Sequence, residues 1–201
     1  AQVFTYGLDP AADLWADEIE SRGLDGISFK AHYRDESWYI KLPLIGIHSV
    51  HTALACAALG LILGLSWDSL IEGLRRSAQL RLLSYPAAGG STLIDDSYNA
   101  SPVSSIAALN LLSELEGRRI GLFGDMAELG PQEESGHRAV GSRAADVVDE
   151  LYGIGDKARW IGEEAIAAGL PAEKVHFATT KAEIVAALKD QLGPNDYVLV
   201  K

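Results

Sequence analysis

Residues that could hold a ligand follow three apolar stretches in the second half of the chain. They are polar residues and glycines: Asp95, Asp96, Tyr98, Asn99, Gly124, Asp125, Gly153, Gly155 and Asp156. Carboxylates among them can accept hydrogen bonds from ligand hydroxyl groups. In open α/β sheets, ligands bind outside the carboxyl ends of the strands. If each apolar stretch is a strand of one parallel sheet, these residues mark a binding edge.

Each of these residues also has a purely structural interpretation. Asp and Asn after a strand are ordinary turn and cap formers. The Gly-x-Gly at 153–155 lacks the third glycine of a dinucleotide-binding fingerprint and is typical of a tight turn. His48 and His51 form a His-x-x-His that could bind a metal, but no third ligand is evident, and histidines that face a turn are favoured.

Strands alternating with helices are predicted from about residue 79 onward. The predicted strands cover residues 92–94, 119–123, 151–154, 175–178 and 197–200. One predicted helix starts at Ser101-Pro102, a cap residue followed by proline, and others cover 135–148, 157–168 and 182–191. This alternation predicts an α/β fold, with a Rossmann-like, mostly parallel sheet and helices on both faces.

The residues before position 79 follow a different pattern. Strands are predicted at 3–6, 26–31 and 38–42, with a polar hairpin turn at 34–37 and a short helix at 13–21. Apolar residues recur at helical spacing between Val50 and Leu61, which predicts a buried helix. A second helix, capped by Ser66, is predicted to end near Arg76. We therefore expect a domain boundary near residue 79.

The composition excludes some partners. The 201 residues carry 17 Lys and Arg against 28 Asp and Glu, a net charge of −11, which disfavours broad nucleic-acid binding but not a nucleotide in a local pocket. The single cysteine, Cys56, excludes an intramolecular disulfide and fits a reducing compartment. Without a membrane-length apolar run or a signal peptide, we expect a cytoplasmic protein that does not engage membranes. A start at Ala1 rather than Met favours a fragment.

Three segments together resemble the Mur ligase family. They are Gly-Ile-His-Ser-Val-His-Thr-Ala-Leu-Ala at 46–55, Asp-Asp-Ser-Tyr-Asn-Ala-Ser-Pro at 95–102 and Gly-Asp-Met-Ala-Glu-Leu-Gly at 124–130. The first resembles a helix common to Mur ligases, and the other two resemble the branch that adds D-Ala-D-Ala. The resemblance implies that residues 1–78, strands plus helices, are the tail of a central ATP-binding domain. Residues 79–201 would then be a C-terminal, dipeptide-binding domain, truncated at its end.

Enzymes of this family form an amide bond at the expense of ATP, through an acyl phosphate. The resemblance implies ATP and Mg²⁺ as cofactors, with the metal ligands outside this chain. It implies UDP-MurNAc-tripeptide and D-Ala-D-Ala as substrates, in peptidoglycan synthesis, and we expect a monomer. Such a protein mainly positions the reactants and neutralises phosphate charge.

The resemblance also implies roles for residues that would contact ATP. Asp96 matches the aspartate that bonds the ribose. Arg81 matches the catalytic arginine that reaches over the phosphates, where a guanidinium can fork onto two oxygens. His48, Ser49 and Thr52 lie on the helix that holds the adenine side. Ser49 and Thr52 stand where the family has asparagines, and a hydroxyl cannot make an amide's paired donor–acceptor contact.

Four more residues are matched to the D-Ala-D-Ala acceptor. Tyr98 and Asn99 belong to the second segment, and Asp125 and His137 lie in or after the third. The last two could instead have structural roles.

Two other functions stay open from the sequence. A folylpolyglutamate synthase-like ligase would share the architecture, but it is not expected to carry both the second and the third segment. In a non-catalytic Rossmann-like binding module, Asp96 and Asp125 would only form turns. We expect the 201 residues alone to be inactive, because they contain no glycine-rich loop ending in Lys-Ser or Lys-Thr.

Overall fold

The chain forms two compact units, Ala1–Gln79 and Leu80–Lys201, in a computed structural model. The structure describes residues 3–76 and 82–201. Each unit has a sheet of its own. In these described ranges, every helix is too short or too polar to cross a membrane. The assignment of the units to a central and a C-terminal ligase domain stays a prediction.

The first unit is a four-stranded sheet with two helices. Its strands β1 (Tyr6–Gly7), β2 (Leu14–Ser21), β3 (Ile27–Tyr33) and β4 (Glu36–Leu42) lie in chain order. The β1–β2 pair is parallel, and the others are antiparallel. Helices α1 (Ser49–Ile62) and α2 (Trp67–Arg76) follow. The predictions of α1, α2, β3 and β4 are confirmed. The strand predicted at 3–6 lies instead at 6–7.

The helix predicted at 13–21 is wrong, since this segment is strand β2. Leu14 and Ala16 are buried while Trp15 and Asp17 are half-buried, which is the period-two pattern of a strand. A β-bulge between Asp17 and Glu20, with a positive φ of 47° at Glu18, then shifts the pattern. The bulge therefore hides the alternation that would have identified the strand.

Helix α1 covers one face of the first sheet. Its buried residues, among them Leu54 and Ala57, share one core with Phe29 and Ile40 of the sheet. His48 and Thr52, which were predicted to lie beside adenine, are exposed at the amino end of α1, whereas Ser49 is half-buried.

The second unit contains a six-stranded sheet. Its strands are β5 (Leu83–Pro86), β6 (Thr92–Asp95), β7 (Arg118–Phe123), β8 (Glu150–Ile154), β9 (Val175–Ala178) and β10 (Asp196–Val200). They lie in the order β5-β6-β10-β7-β8-β9, and only the β5–β6 pair is antiparallel. The helices are α3 (Pro102–Ser113), α4 (Glu133–Val147), α5 (Ala158–Ala167) and α6 (Lys181–Leu188). The predicted α/β class and mostly parallel sheet are confirmed; strand β5 was not predicted.

Helices lie on both faces of this sheet, as predicted. The connections from β6 through β9 run toward one edge, and the last connection returns to place β10 between β6 and β7. Because such crossovers are right-handed, the returning helix α6 must lie on the opposite face from α3, α4 and α5. Ile184 and Leu188 of α6 accordingly pack against Ile120 and Val198 of the sheet.

A charge network around the buried Glu150 carboxylate joins four strands at their amino ends. The Glu150 carboxylate is bonded by Arg118 at 2.5 Å, by the Tyr152 hydroxyl at 2.8 Å and by His176 at 3.0 Å. Arg118 also contacts Asp196 at 3.3 Å. Burial acts to raise the pKa of Glu150, but hydrogen bonds from Arg118 and Tyr152 outweigh it and hold that pKa below its ordinary value.

We expect Arg118→Met to lower the free energy of unfolding of the second unit by about 2–3 kcal/mol, because it leaves the Glu150 charge buried without its main partner. The Arg118 side chain is 31% exposed, which keeps the loss below that of a fully buried pair. Urea unfolding followed by circular dichroism measures the change.

The matched control is Arg138→Met, because Arg138 also has acidic partners but these are Glu134, Glu163 and Glu164, which are 56%, 55% and 32% exposed. We expect this control to cost much less than Arg118→Met, because solvent screens ion pairs at the surface. Equal losses for the two variants would contradict the role given to burial of Glu150.

Candidate functional site

The carboxyl ends of three strands meet at one edge of the second sheet. Val200 of β10 is paired with Asp95 of β6 and with Leu122 of β7. The main chain continues the pairing past the strand ends: the Asp96 N–H donates to the Val200 carbonyl at 3.0 Å, and the Gly124 N–H to the Lys201 carbonyl at 2.8 Å. The loops that carry the second and third family segments are therefore fastened to the same strand.

Asp96 and Lys201 form a buried ion pair at this edge. Their side chains are 4% and 0% exposed, and the Lys201 Nζ lies 2.5 Å from Asp96 Oδ2. The same ammonium donates to the main-chain carbonyl of Asn99 at 2.6 Å. The Asp96 carboxylate is thus directed inward, with Oδ1 buried and Oδ2 against the ammonium.

Lys201 is the residue that the sequence reasoning missed. A signal was present, since Lys201 directly follows an apolar strand, just as Asp96 and Gly124 do. Its partner Asp96 lies 105 residues away in sequence, and no local pattern reveals that contact.

A cavity of about 690 Å³ opens at the same edge. Its apolar wall comes from the sheet and from α6, and includes Leu93, Leu122, Ile154, Val198, Ile184 and Leu188. Its polar lining includes Tyr98, Asn99, Asp125, Lys181, Lys189 and Lys201. A mostly apolar cavity with a few convergent polar groups is the usual form of a small-molecule site. The structure therefore brings three of the four predicted acceptor residues to one cavity.

The loop between β6 and α3 has an ordered start and end. The Asp95 carboxylate accepts from the Ser97 N–H at 2.9 Å and from its hydroxyl at 2.6 Å, and these bonds lower the pKa of Asp95. Ser101 and Ser104 then form a capping box at the start of α3. Between these points, Tyr98 is 87% exposed.

Asp125 has a structural role besides lining the cavity. Its Oδ1 accepts from the main-chain N–H groups of Lys157 at 2.9 Å and Ala158 at 2.7 Å, so it caps α5 from a distant loop. Gly155 has φ of 110°, and a Cβ there would lie 2.4 Å from Asp125 Oδ1. Only a glycine allows the carboxylate to approach this closely.

His137 is buried, and both of its ring nitrogens are engaged. Nε2 accepts from the Met126 N–H at 2.9 Å, so Nδ1 carries the proton and donates to the Glu133 carbonyl at 2.6 Å. In this geometry His137 offers no ring nitrogen to a ligand. It fastens the loop after β7 to α4, which favours the structural alternative over a contact with the acceptor.

The predicted adenine-side residues lie in the first unit. His48 and Thr52 are exposed at the start of α1, and the Ser49 hydroxyl donates to the Ile45 carbonyl at 2.8 Å. Arg81 lies outside the described residues. Within residues 3–76 and 82–201, no three His, Cys, Asp or Glu side chains are grouped so that they could hold a metal ion.

The second unit has the features of an open α/β ligand-binding domain, with its cavity at the carboxyl edge of a mostly parallel sheet. Residues 81–201 match the family described as Mur ligase, glutamate ligase domain. The chain belongs to the Mur ligase family.

Similarity to individual proteins extends over both units. The chain is 30% identical over 205 residues to the UDP-N-acetylmuramoyl-tripeptide–D-alanyl-D-alanine ligase of Bacillus subtilis (strain 168), covering 100% of this chain and 44% of that protein. It is 32% identical over 203 residues to the ligase of the same name from Synechocystis sp. (strain ATCC 27184 / PCC 6803 / Kazusa), covering 100% and 42%. A crystal structure of MurF from Acinetobacter baumannii superposes with a TM-score of 0.82 at 28% identity, covering 99% and 44%. The chain thus spans less than half the length of these relatives.

We expect Asp125→Ala to lower the free energy of unfolding of the second unit by about 1–2 kcal/mol, because α5 loses its cap. Asp125→Asn should stay within about 0.5 kcal/mol of the original, since an amide oxygen can accept the same two hydrogen bonds. Thermal and urea unfolding measure both changes.

Asp156→Ala is the control, because Asp156 is an exposed carboxylate in the loop between β8 and α5. If Asp125→Ala and Asp156→Ala are equally harmless, Asp125 does not act as the cap.

Proposed function

We propose that this chain is part of an ATP-dependent ligase that joins D-Ala-D-Ala to UDP-MurNAc-tripeptide in peptidoglycan synthesis. The observation that carries the proposal is the meeting of the second and third family segments at one cavity, where Tyr98, Asn99 and Asp125 contribute to the lining. Membership of the Mur ligase family and the names of the relatives that cover the whole chain support it.

The reaction that we propose has two steps. ATP phosphorylates the terminal carboxylate of the tripeptide, which gives an acyl phosphate and ADP. The amine of D-Ala-D-Ala then attacks the acyl carbon, and the collapse of the tetrahedral intermediate forms the amide bond and expels phosphate. Little of this needs a covalent contribution from the protein, so positioning and charge stabilisation dominate.

The roles that we propose for single residues follow the resemblance. Asp96 would accept from a ribose hydroxyl. His48, Ser49 and Thr52 would lie beside adenine, and Arg81 would bind phosphate oxygens. Tyr98, Asn99 and Asp125 would contact the dipeptide, with Asp125 held in place by the cap of α5. Mg²⁺ would supply further charge neutralisation, from ligands outside this chain.

The protein that carries this chain is expected to release phosphate from ATP only when both UDP-MurNAc-tripeptide and D-Ala-D-Ala are present, because the amine must consume the acyl phosphate. A coupled ADP or phosphate assay, with the amide product identified by mass spectrometry, measures this. Turnover with a folate and glutamate instead would favour the folylpolyglutamate synthase-like alternative. Absence of both activities would favour the binding module.

The 201 residues alone provide a negative control for this assay. They contain no phosphate-binding loop ending in Lys-Ser or Lys-Thr, so we expect no turnover above background. Ligation by the 201 residues alone would show that the reaction does not need a phosphate-binding loop from outside these residues.

Arg81→Ala in the same protein is expected to lower kcat by about 100-fold or more, the scale for the loss of one charge contact in the transition state. Steady-state kinetics with both substrates measure it. Arg159→Ala, which removes an exposed arginine over the Phe177 ring, is the control and should leave kcat unchanged. An unchanged rate for Arg81→Ala would show that the phosphate contact is assigned wrongly.

A further inference from the structure

The ammonium group of Lys201 is buried at the carboxyl edge of the second sheet, outside all three family segments. Its side chain is 0% exposed, and Nζ lies 2.5 Å from Asp96 Oδ2 and 2.6 Å from the Asn99 carbonyl oxygen. Burial of an ammonium ion is costly unless charged or polar partners surround it. The favourable geometry of both contacts therefore ties Lys201 to the loop that follows β6.

The backbone of Lys201 gives this side chain a rigid base. Its N–H donates to the Leu122 carbonyl at 2.8 Å, and its carbonyl accepts from the Gly124 N–H at 2.8 Å. Both bonds extend the β10–β7 pairing by one residue. These hydrogen bonds hold the Cα of Lys201 in a fixed place, and the two contacts of Nζ hold the ammonium.

The loop that the ammonium holds is the one that presents Tyr98 and Asn99 to the cavity. Asp95 orders its first turn through Ser97, and the capping box of α3 orders its end. The bond from Lys201 to the Asn99 carbonyl lies between these two fixed points. It fixes the main chain of the residue that follows Tyr98, which is itself 87% exposed.

We propose that Lys201 is a positioning residue for the dipeptide acceptor, acting through Asp96 and the Asn99 carbonyl on the loop at 97–100. The proposal rests on the proposed ligase function. An ordered loop lets the acceptor bind without first losing the conformational entropy of several residues. Without the ammonium, D-Ala-D-Ala binding must order the loop, so KM for D-Ala-D-Ala rises while the chemical step of the bound complex is largely preserved.

Steady-state kinetics of Lys201→Met in the protein that carries this chain test the role. We expect KM for D-Ala-D-Ala to rise about tenfold, which is the scale for the loss of one hydrogen bond to a charged group. The rise in KM for ATP should be less than about one third of the rise in KM for D-Ala-D-Ala. The value of kcat should fall by less than about threefold. Lys174→Met, at an exposed lysine away from the cavity, is the control and should leave all three parameters unchanged.

A second variant distinguishes the loss of the Asn99 contact from misfolding caused by an unpaired buried charge. Lys201→Met leaves the Asp96 carboxylate buried without its cation, whereas Asp96→Asn combined with Lys201→Met removes both charges at nearly constant volume. The Asn99 carbonyl loses the ammonium in either variant, so both should show the raised KM for D-Ala-D-Ala. Unfolding curves identify the variants that fold.

The possible outcomes separate the two proposals. If KM for D-Ala-D-Ala stays unchanged in the folded variants, the positioning role is overturned. If the unaltered protein shows no turnover that depends on D-Ala-D-Ala, the proposed function itself fails, and the role of Lys201 fails with it.

Discussion

The placement of β10 between β6 and β7 determines the geometry of the whole carboxyl edge. β10 is the last strand in the chain, yet its neighbours are the second and third strands of the sheet in sequence. The Lys201–Asp96 contact that completes the edge spans 105 residues. Contacts of such long range form only after the loop-closure entropy of the intervening chain has been overcome. The residues of the candidate site can therefore be assembled only when the entire second unit is folded.

Charge pairs fix the register of β10 at both of its ends. Asp196, at the start of the strand, is bonded to Arg118, and Lys201, directly after its end, is bonded to Asp96. A slip of one residue would turn every side chain of the strand to the opposite face and would separate both pairs. Apolar residues such as Val198 and Leu199 favour burial but do not distinguish closely related registers. The ionic contacts thus supply specificity where hydrophobic burial alone is ambiguous.

The sequence predicted what depends on local periodicity, and it failed where distant residues decide the structure. The alternation of strands and helices after residue 79 was readable because each element buries one regular face. The strand at β2 was mistaken for a helix because the bulge at Glu18 interrupts its alternation. At the site, the rule for the carboxyl ends of strands identified Asp96, Asn99 and Asp125. It could not show that Asp125 caps α5, that His137 is engaged by the backbone, or that Lys201 belongs beside Asp96, because these partners are neighbours only in the folded chain.

The cavity also differs in charge from the rest of the molecule. The chain as a whole has a net charge of −11, yet two exposed lysines, Lys181 and Lys189, line the cavity on the side of α6. A small anion approaching the protein therefore meets a less repulsive potential at this opening than over the average surface. Fields of this kind increase the rate of encounter rather than the strength of the final complex. Because mobile ions screen them over about 10 Å at 0.1 M salt, such guidance weakens as ionic strength rises, while the shape of the cavity does not change.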